Sequence, residues 1–401
     1  MAVTIDMSEI AKRRKLCTSV QSEPAISEHA QEHAPPFRAA VLDKIVRTED
    51  VSALGLEGFE HLGSQPGLLR MRNSNGVELI LTPFGLTTVK LVVPASDGTP
   101  TPIVLGFNSF KEYQEDGTYQ GRTIGQVANR IGNGKFKHPV TNQWVVLDQN
   151  DSGNCLHGGN PLNGWSNQLW YTKGEPVTGE FGGRVTYFLL SDDRQSGFPG
   201  PVYAEVTVTL TPDNRVVREY RAMSKRLTPV SMTDHSYYNL NGVGSNSTVH
   251  NHILTTNAAH YLVNAGLIPT GEIASVQETK FDFFNDTKEI GKDFGEEGYD
   301  NHLVFPNPSE ARWVVVESPR TGIGMELKTD QQGCQIYTGF FLNGKPARQF
   351  GAFCLEPGML NDAVNHPEWL DAGYRDPFIR QGKGYKARIE CRFFVREQTK
   401  G

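Results

Sequence analysis

Residues 202–210 read VYAEVTVTL, an alternation of apolar with polar or aromatic side chains. Successive side chains of a strand point to opposite faces of its sheet, so this spacing predicts a strand with one buried face. Similar strand-like stretches, rich in Val, Tyr, Phe and Thr, recur along the chain. They lie at residues 77–81, 184–190, 215–223, 313–317 and 387–395.

Turn-forming dipeptides separate these stretches, as at Asn75-Gly76, Asp116-Gly117, Asn241-Gly242 and Asn343-Gly344. The 41 glycines and 23 prolines fit many short connections. No long stretch has the period of a helix, which disfavours a parallel α/β sheet. The sequence therefore predicts an all-β fold, a large antiparallel β-sandwich.

Composition limits the domain organisation and the partners. Residues 1–50 are polar and differ from the rest of the 401-residue chain, so we expect a mobile N-terminal extension followed by a single domain over residues 51–401. A net charge of −6 argues against nucleic acid as a partner, and the lack of a long apolar run argues against a membrane. Five scattered cysteines without a CxxC pair favour a reducing, cytoplasmic location.

Residues 228–242 read TPVSMTDHSYYNLNG and place His235 among hydroxyls, amides and aromatic rings. Imidazole has an unperturbed pKa near neutrality and therefore exchanges protons readily. This setting suits a pocket for a hydroxylated ligand. The simpler alternative is a half-buried histidine that satisfies backbone groups at a strand end.

Four further polar clusters interrupt the strand pattern. They are residues 121–136 (GRTIGQVANRIGNGKF), 154–165 (NCLHGGNPLNGW), 298–302 (GYDNH) and 354–369 (CLEPGMLNDAVNHPEW). In the last cluster, Glu356 ends an apolar stretch, where a partly desolvated carboxylate can act as a base. Surface ion pairs, turns and solvated loops are the structural alternatives. The chain has no GxSxG elbow, no phosphate-binding glycine loop and no metal-ligand spacing of the HxH or HExxH type.

Taken in order, these clusters resemble the aldose 1-epimerase (galactose mutarotase) family. The resemblance extends over residues 70–395 and also includes SDDRQSGFPG at residues 191–200, IPTGEI at 268–273 and QIYTG at 335–339. It implies a galactose mutarotase-like supersandwich with an open, polar sugar cleft. It also implies a general base at Glu356 and a general acid at His235. The substrate-binding residues that we expect are Arg130, Asn129, His157, Asp300, Tyr237 and Trp165, although core packing is the commoner use of a tryptophan.

The activity implied by this resemblance is interconversion of the α and β anomers of a hexose such as glucose or galactose, by acid–base ring opening and closure. It needs no cofactor and no metal. We expect a small sugar or sugar-like substrate and a chain that is a monomer or a weak dimer.

The sequence departs from the family pattern around the proton-transfer pair. Pro357-Gly358 replaces the usual Thr-Gln, Asp234 the usual Asn, and Tyr238 the usual Phe. These changes leave two alternatives open: an isomerase of the same fold repurposed for a non-sugar or biosynthetic intermediate, and a non-catalytic sugar-binding or regulatory protein. Retention of both Glu356 and His235 disfavours the second, because binding alone needs no acid–base pair.

Overall fold

The computed structural model describes residues 55–62, 65–244, 248–306, 312–344 and 346–396, with only the backbone described for His61 and Pro66. These residues belong to one compact unit, Lys44–Gly401. The extension expected at residues 1–50 lies outside the described residues. Within the described ranges, no helix is long and apolar enough to cross a membrane.

The described residues form mostly strands, together with two short α-helices. The helices are α1 (Phe110–Glu115) and α2 (Glu368–Asp371). The strands, in chain order, are β1 His61–Leu62, β2 Gln65–Pro66, β3 Leu69–Arg72, β4 Glu78–Thr82, β5 Thr87–Pro94, β6 Pro100–Pro102, β7 Arg122–Ile124, β8 Arg130–Ile131, β9 Lys135–Lys137, β10 Trp144–Val146, β11 Cys155–Leu156, β12 Tyr171–Thr172, β13 Val177–Gly179, β14 Gly182–Ser191, β15 Val202–Leu210, β16 Arg215–Ser224, β17 Thr228–Pro229, β18 Thr233–His235, β19 Tyr237–Tyr238, β20 Ile253–Thr256, β21 His260–Ala265, β22 Ile268–Ser275, β23 Lys288–Glu289, β24 Asp300–Val304, β25 Arg312–Glu317, β26 Ile323–Thr329, β27 Gly333–Tyr337, β28 Phe353–Gly358, β29 Phe378–Ile379 and β30 Tyr385–Val395.

Three antiparallel sheets carry the architecture. A ten-stranded sheet has the order β12-β14-β15-β16-β30-β26-β25-β20-β23, and β13 also pairs with β14. A six-stranded sheet has the order β19-β28-β27-β24-β21-β22, and a four-stranded sheet has the order β3-β4-β5-β6. Smaller antiparallel pairs join β7 to β18 and β8 to β11.

The predicted fold class is confirmed, and so is the pattern that led to it. Residues 202–210 form β15 without a shift, and their apolar side chains are buried at every second position. The other predicted stretches fall within β14, β16, β25 and β30, whereas β4 begins one residue later than predicted. Alternation locates strands well here because each large sheet is buried on the face that packs into the core.

One hydrophobic core lies between the sheets. It collects apolar side chains from all three, for example Leu79 of the four-stranded sheet, Val206 of the ten-stranded sheet and Leu355 of the six-stranded sheet. This shared core is the packing of a sandwich. Fully burying each such side chain stabilises the fold by roughly 1.5–3 kcal/mol before entropy is counted.

The six-stranded sheet has a second face that points away from this core. Leu303, Ile336 and Leu355 belong to the core, so their strands present the alternate residues on the opposite face. Asp300 and Glu356 are two of those alternate residues. The polar residues of β24, β27 and β28 therefore share one surface.

Candidate active site

The floor of the candidate site is this polar face. Gln335 pairs directly with Glu356 across β27 and β28, and its amide donates to Asp300 Oδ1 over 2.7 Å. Asn361 donates its own amide to Gln335 Oε1 over 2.9 Å. Since the Gln335 oxygen is occupied by Asn361, its NH2 group is directed towards Asp300.

Two short strands bring His235 to Glu356. His235 ends β18, and the next strand, β19, joins the six-stranded sheet by pairing Tyr237 with Cys354. His235 Nε2 then lies 3.6 Å from Glu356 Oε1, and both side chains are 5% exposed. The other ring nitrogen, Nδ1, lies 3.7 Å from the Cys354 sulfur.

The β8–β11 pair supplies another group of polar side chains. Arg130 pairs with Leu156. Asn129, which precedes Arg130, has a φ angle of 58°, and His157, which follows Leu156, has a φ angle of 50°. The His157 backbone N–H donates to the Asn129 carbonyl, and the Asn129 backbone N–H donates to His157 Nδ1 over 3.2 Å. Non-glycine residues in this left-handed region are uncommon, and such strained positions cluster at functional sites.

Aromatic rings enclose the two histidines. The His157 and His235 rings meet edge-on with centroids 5.1 Å apart, and Tyr119 lies 4.7 Å from His157. Tyr237 lies 5.1 Å from His235, and its hydroxyl donates to the Thr118 carbonyl over 3.0 Å. These rings exclude water from the imidazoles and hold their orientation.

Loss of water governs the protonation of the central pair. Burial lowers the pKa of His235 to about 4. Burial, reinforced by the negative charges of Asp300 and Asp234, raises the pKa of Glu356 well above its ordinary value, while Arg130 opposes this shift. Burial also raises the pKa of Asp300. Perturbed carboxyl and imidazole groups in contact are typical of acid–base sites.

Arg130 supplies a positive charge that acts on the carboxyl groups of both Asp300 and Glu356. Its Nε donates to Asp151 Oδ2 over 2.6 Å, which orients the guanidinium. Its charge opposes the upward pKa shifts of Asp300 and Glu356. This leaves the two Nη groups of Arg130 available to polarise a ligand.

The ligand atoms of His157, His235 and Glu356 all lie within 4.8 Å of one another, close enough to hold a metal ion. The hydrogen bonding of His157 argues against it. Its Nδ1 lone pair already accepts from the Asn129 backbone, and burial keeps the ring neutral by lowering its pKa well below the ordinary value. The remaining hydrogen therefore sits on Nε2, so His157 offers a donor rather than a metal ligand.

The structure brings together seven of the eight predicted residues. Trp165 is the exception, because its side chain belongs to the main hydrophobic core. It packs against Gly125, and its ring meets the Trp170 ring edge-on with centroids 6.2 Å apart. The seven that surround the polar site are Glu356, His235, Arg130, Asn129, His157, Asp300 and Tyr237.

The substitutions that distinguish this chain from the family pattern have a structural explanation in part. Asp234 and Tyr238 contact each other, since the Tyr238 hydroxyl lies 3.4 Å from Asp234 Oδ2. Asp234 also lies 3.4 Å from Arg218, with both side chains buried. Pro357 and Gly358 continue β28 in register with β27, so Glu356 stays on the polar face.

Sequence reasoning assigned no role to Gln335, Asn361, Asp151, Tyr119 or Cys354. Gln335 had a signal, because it begins the QIYTG block. Cys354 and Asn361 also had one, because both lie in the cluster at residues 354–369. Asp151 and Tyr119 lie outside the quoted clusters, and they contact the site through loop packing, which leaves no local pattern in the sequence.

Comparisons with known proteins agree with this geometry. A sequence profile described as aldose 1-epimerase matches residues 67–391. Aldose 1-epimerase of Escherichia coli K12 is 33% identical over 344 residues, which are 82% of this chain and 95% of that protein. Galactose mutarotase of Homo sapiens is 36% identical over 324 residues, covering 78% of this chain and 90% of that protein. The crystal structure of an aldose epimerase homologue from C. elegans has a TM-score of 0.74 at 27% identity, and the match covers 82% of this chain and 99% of that one.

Proposed function

This chain belongs to the aldose 1-epimerase family, and we propose that it interconverts the α and β anomers of a hexose through Glu356 and His235. The observation that carries the proposal is the 3.6 Å approach of Glu356 Oε1 to His235 Nε2 in a site with little access to water. The reaction needs a proton acceptor and a proton donor within reach of one sugar ring, and this pair supplies both.

Ring opening moves one proton off the sugar and another onto it. Glu356 as carboxylate removes the proton of the C1 hydroxyl, and protonated His235 delivers a proton from Nε2 to the ring oxygen. The C1–O bond to the ring oxygen breaks as the C1 carbonyl forms. Rotation about C1–C2 and closure on the other carbonyl face give the second anomer, with the two residues exchanging roles.

Burial favours a protonated Glu356 and a neutral His235, because it raises the pKa of Glu356 well above its ordinary value and lowers the pKa of His235 to about 4. Transfer of the Glu356 proton to His235 Nε2, once their 3.6 Å separation closes to hydrogen-bonding distance, produces the carboxylate and imidazolium that ring opening uses. Interacting groups of this kind titrate as a unit, so the pH dependence of activity belongs to the pair.

The surrounding residues hold and polarise the sugar. Arg130 and the Nε2–H of His157 stabilise negative charge that develops on a sugar oxygen. Asp300 accepts hydrogen bonds from sugar hydroxyls through the oxygen that Gln335 does not occupy. Asn129 and Tyr237 complete the proposed binding set, and Trp165 supports it from the core.

We also propose the cofactor use, the location and the oligomeric state that accompany this activity. The enzyme is a cofactor-independent isomerase that acts in the cytoplasm as a monomer or a weak dimer. The relatives' names favour anomer interconversion over a repurposed isomerase.

Polarimetry tests the proposal. Freshly dissolved α-glucose and α-galactose should reach rotational equilibrium faster with the wild-type protein than in buffer, and the rate should rise in proportion to protein concentration. Absence of acceleration for any common aldose would overturn the proposed function. Calorimetry on the same sugars then separates a catalyst from a protein that only binds.

A further inference from the structure

Cys354 lies beside the proton-transfer pair but has no part in the mechanism above. It precedes Glu356 by two residues on β28, so both side chains point to the same face of the sheet. The thiol is free and fully buried, and its sulfur lies 3.7 Å from His235 Nδ1. Its cross-strand partner is Tyr237, which packs against the same imidazole.

The hydrogen on His235 Nδ1 follows from the pair chemistry. Burial raises the pKa of Glu356 and so favours its protonated form, and His235 Nε2 lies 3.6 Å from Glu356 Oε1. Neutral His235 can take up that proton on Nε2 only if Nε2 has a free lone pair, which places the ring hydrogen on Nδ1. The imidazolium formed during turnover carries that same Nδ1 hydrogen.

The Nδ1 hydrogen therefore needs an acceptor throughout the reaction. Cys354 sulfur is a weak acceptor at a suitable distance, and it acts beside the backbone carbonyl of His235 itself, which also accepts from the Gly121 backbone N–H over 3.0 Å. Burial, with the charge of Glu356 next in importance, raises the pKa of the Cys354 thiol well above its ordinary value. The sulfur thus stays uncharged, and it orients the imidazole without holding it permanently as an imidazolium.

We propose that Cys354 is a positioning residue whose sulfur accepts the Nδ1–H of His235 and so reserves Nε2 for proton exchange with Glu356 and the sugar. The inference rests on the proposed function of this pair. A carboxylate in the same place would stabilise the imidazolium and slow the return of its proton. A neutral sulfur fixes the tautomer and leaves the proton free to move.

The first test is nitrogen-15 NMR of the histidines in the full-length protein, with the His235 signals assigned by their loss in His235→Gln. Wild type should show Nδ1 protonated and Nε2 unprotonated near neutral pH. The opposite tautomer in wild type would overturn the proposal, and this measurement requires no Cys354 variant to fold.

The second test compares Cys354→Ala with Cys334→Ala. Cys334 is also buried, but it lies on the core side of β27. Its replacement by alanine therefore removes a sulfur atom that does not face His235. We expect Cys354→Ala to lower kcat by about three- to tenfold, as loss of a weak hydrogen bond implies, with KM almost unchanged and a mixture of tautomers at His235. Cys354→Ser should recover most of the rate, and Cys334→Ala should leave kcat and the tautomer unchanged.

The two failures are distinguishable. If Glu356→Gln abolishes turnover while Cys354→Ala matches Cys334→Ala in kcat and tautomer, the positioning role is refuted and the proposed function stands. If Glu356→Gln retains wild-type turnover, the acid–base pair itself is refuted.

Discussion

Replacing Glu356 with glutamine tests the acid–base pair most directly. Glutamine keeps nearly the same shape, but its amide neither takes up nor releases a proton near neutral pH. With the side chain 5% exposed, water has little access to replace the carboxylate. A positioned acid or base contributes about 10²–10⁴-fold, or about 3–5.5 kcal/mol of barrier. We expect kcat to fall by that factor, with KM changed far less.

The same Glu356→Gln substitution that lowers kcat should raise the thermal stability of the protein. The pKa of Glu356 is raised in the folded state above the ordinary value of 4.5, mainly by burial. The carboxyl's contribution to stability is therefore fully present below pH 4.5 and is lost as pH rises through the folded-state pKa. The melting temperature of Glu356→Gln should exceed that of wild type by a margin that grows between pH 4.5 and neutrality.

The assay is the initial rate of change in optical rotation of α-galactose, corrected for the rate in buffer, beside calorimetric melting at several pH values. Glu272→Gln is the matched control, because Glu272 is exposed on β22 of the same sheet. It should keep wild-type kcat and melting temperature. A Glu356→Gln enzyme that keeps more than about a tenth of the wild-type kcat would refute the role of Glu356 as base.

Three further predictions concern binding, packing and acid stability. Asp300→Asn should raise KM by about tenfold or more with little effect on kcat, because a hydrogen bond between the sugar and a charged group is lost. Steady-state kinetics measure both constants, and a change confined to kcat would contradict this prediction. Trp165→Phe should lower the free energy of unfolding by about 1–3 kcal/mol in urea titrations and leave KM unchanged, whereas raised KM without lost stability would show direct sugar stacking. His252 is buried and accepts the Leu240 backbone N–H on Nε2, and burial lowers its pKa from 6.5 to about 4. Its contribution to stability is present above pH 6.5 and is lost as pH falls towards 4, by about 1.4 kcal/mol per pH unit; urea titrations at pH 7 and pH 5 should show a smaller loss for His252→Gln than for wild type.

The residues that we propose for proton transfer could be selected from the sequence because the family blocks around them are present in it. His235 stands in a polar, aromatic stretch, and Glu356 ends an apolar one. The role of Trp165 was harder to predict, since the same block fits a cleft wall and a core position. Only its packing against Gly125 and Trp170 distinguishes the two.

The contacts that support the site were beyond sequence reasoning. Asn361 reaches Gln335, and Arg130 reaches Asp151, through side chains that no local pattern links. The Cys354 sulfur meets His235 because β19 pairs with β28 in one register. A shift of one residue in that register would turn Cys354 to the other face of the sheet.

The sequence by itself determined the all-β class and the chemical types available for proton transfer, because alternation along a strand and the choice of side chains are local properties. The tertiary structure alone decided that Glu356 and His235 stand 3.6 Å apart with both side chains buried. Distance and burial depend on the pairing of strands remote in the chain. They shift the pKa values of the pair, on which the proposed proton transfers depend.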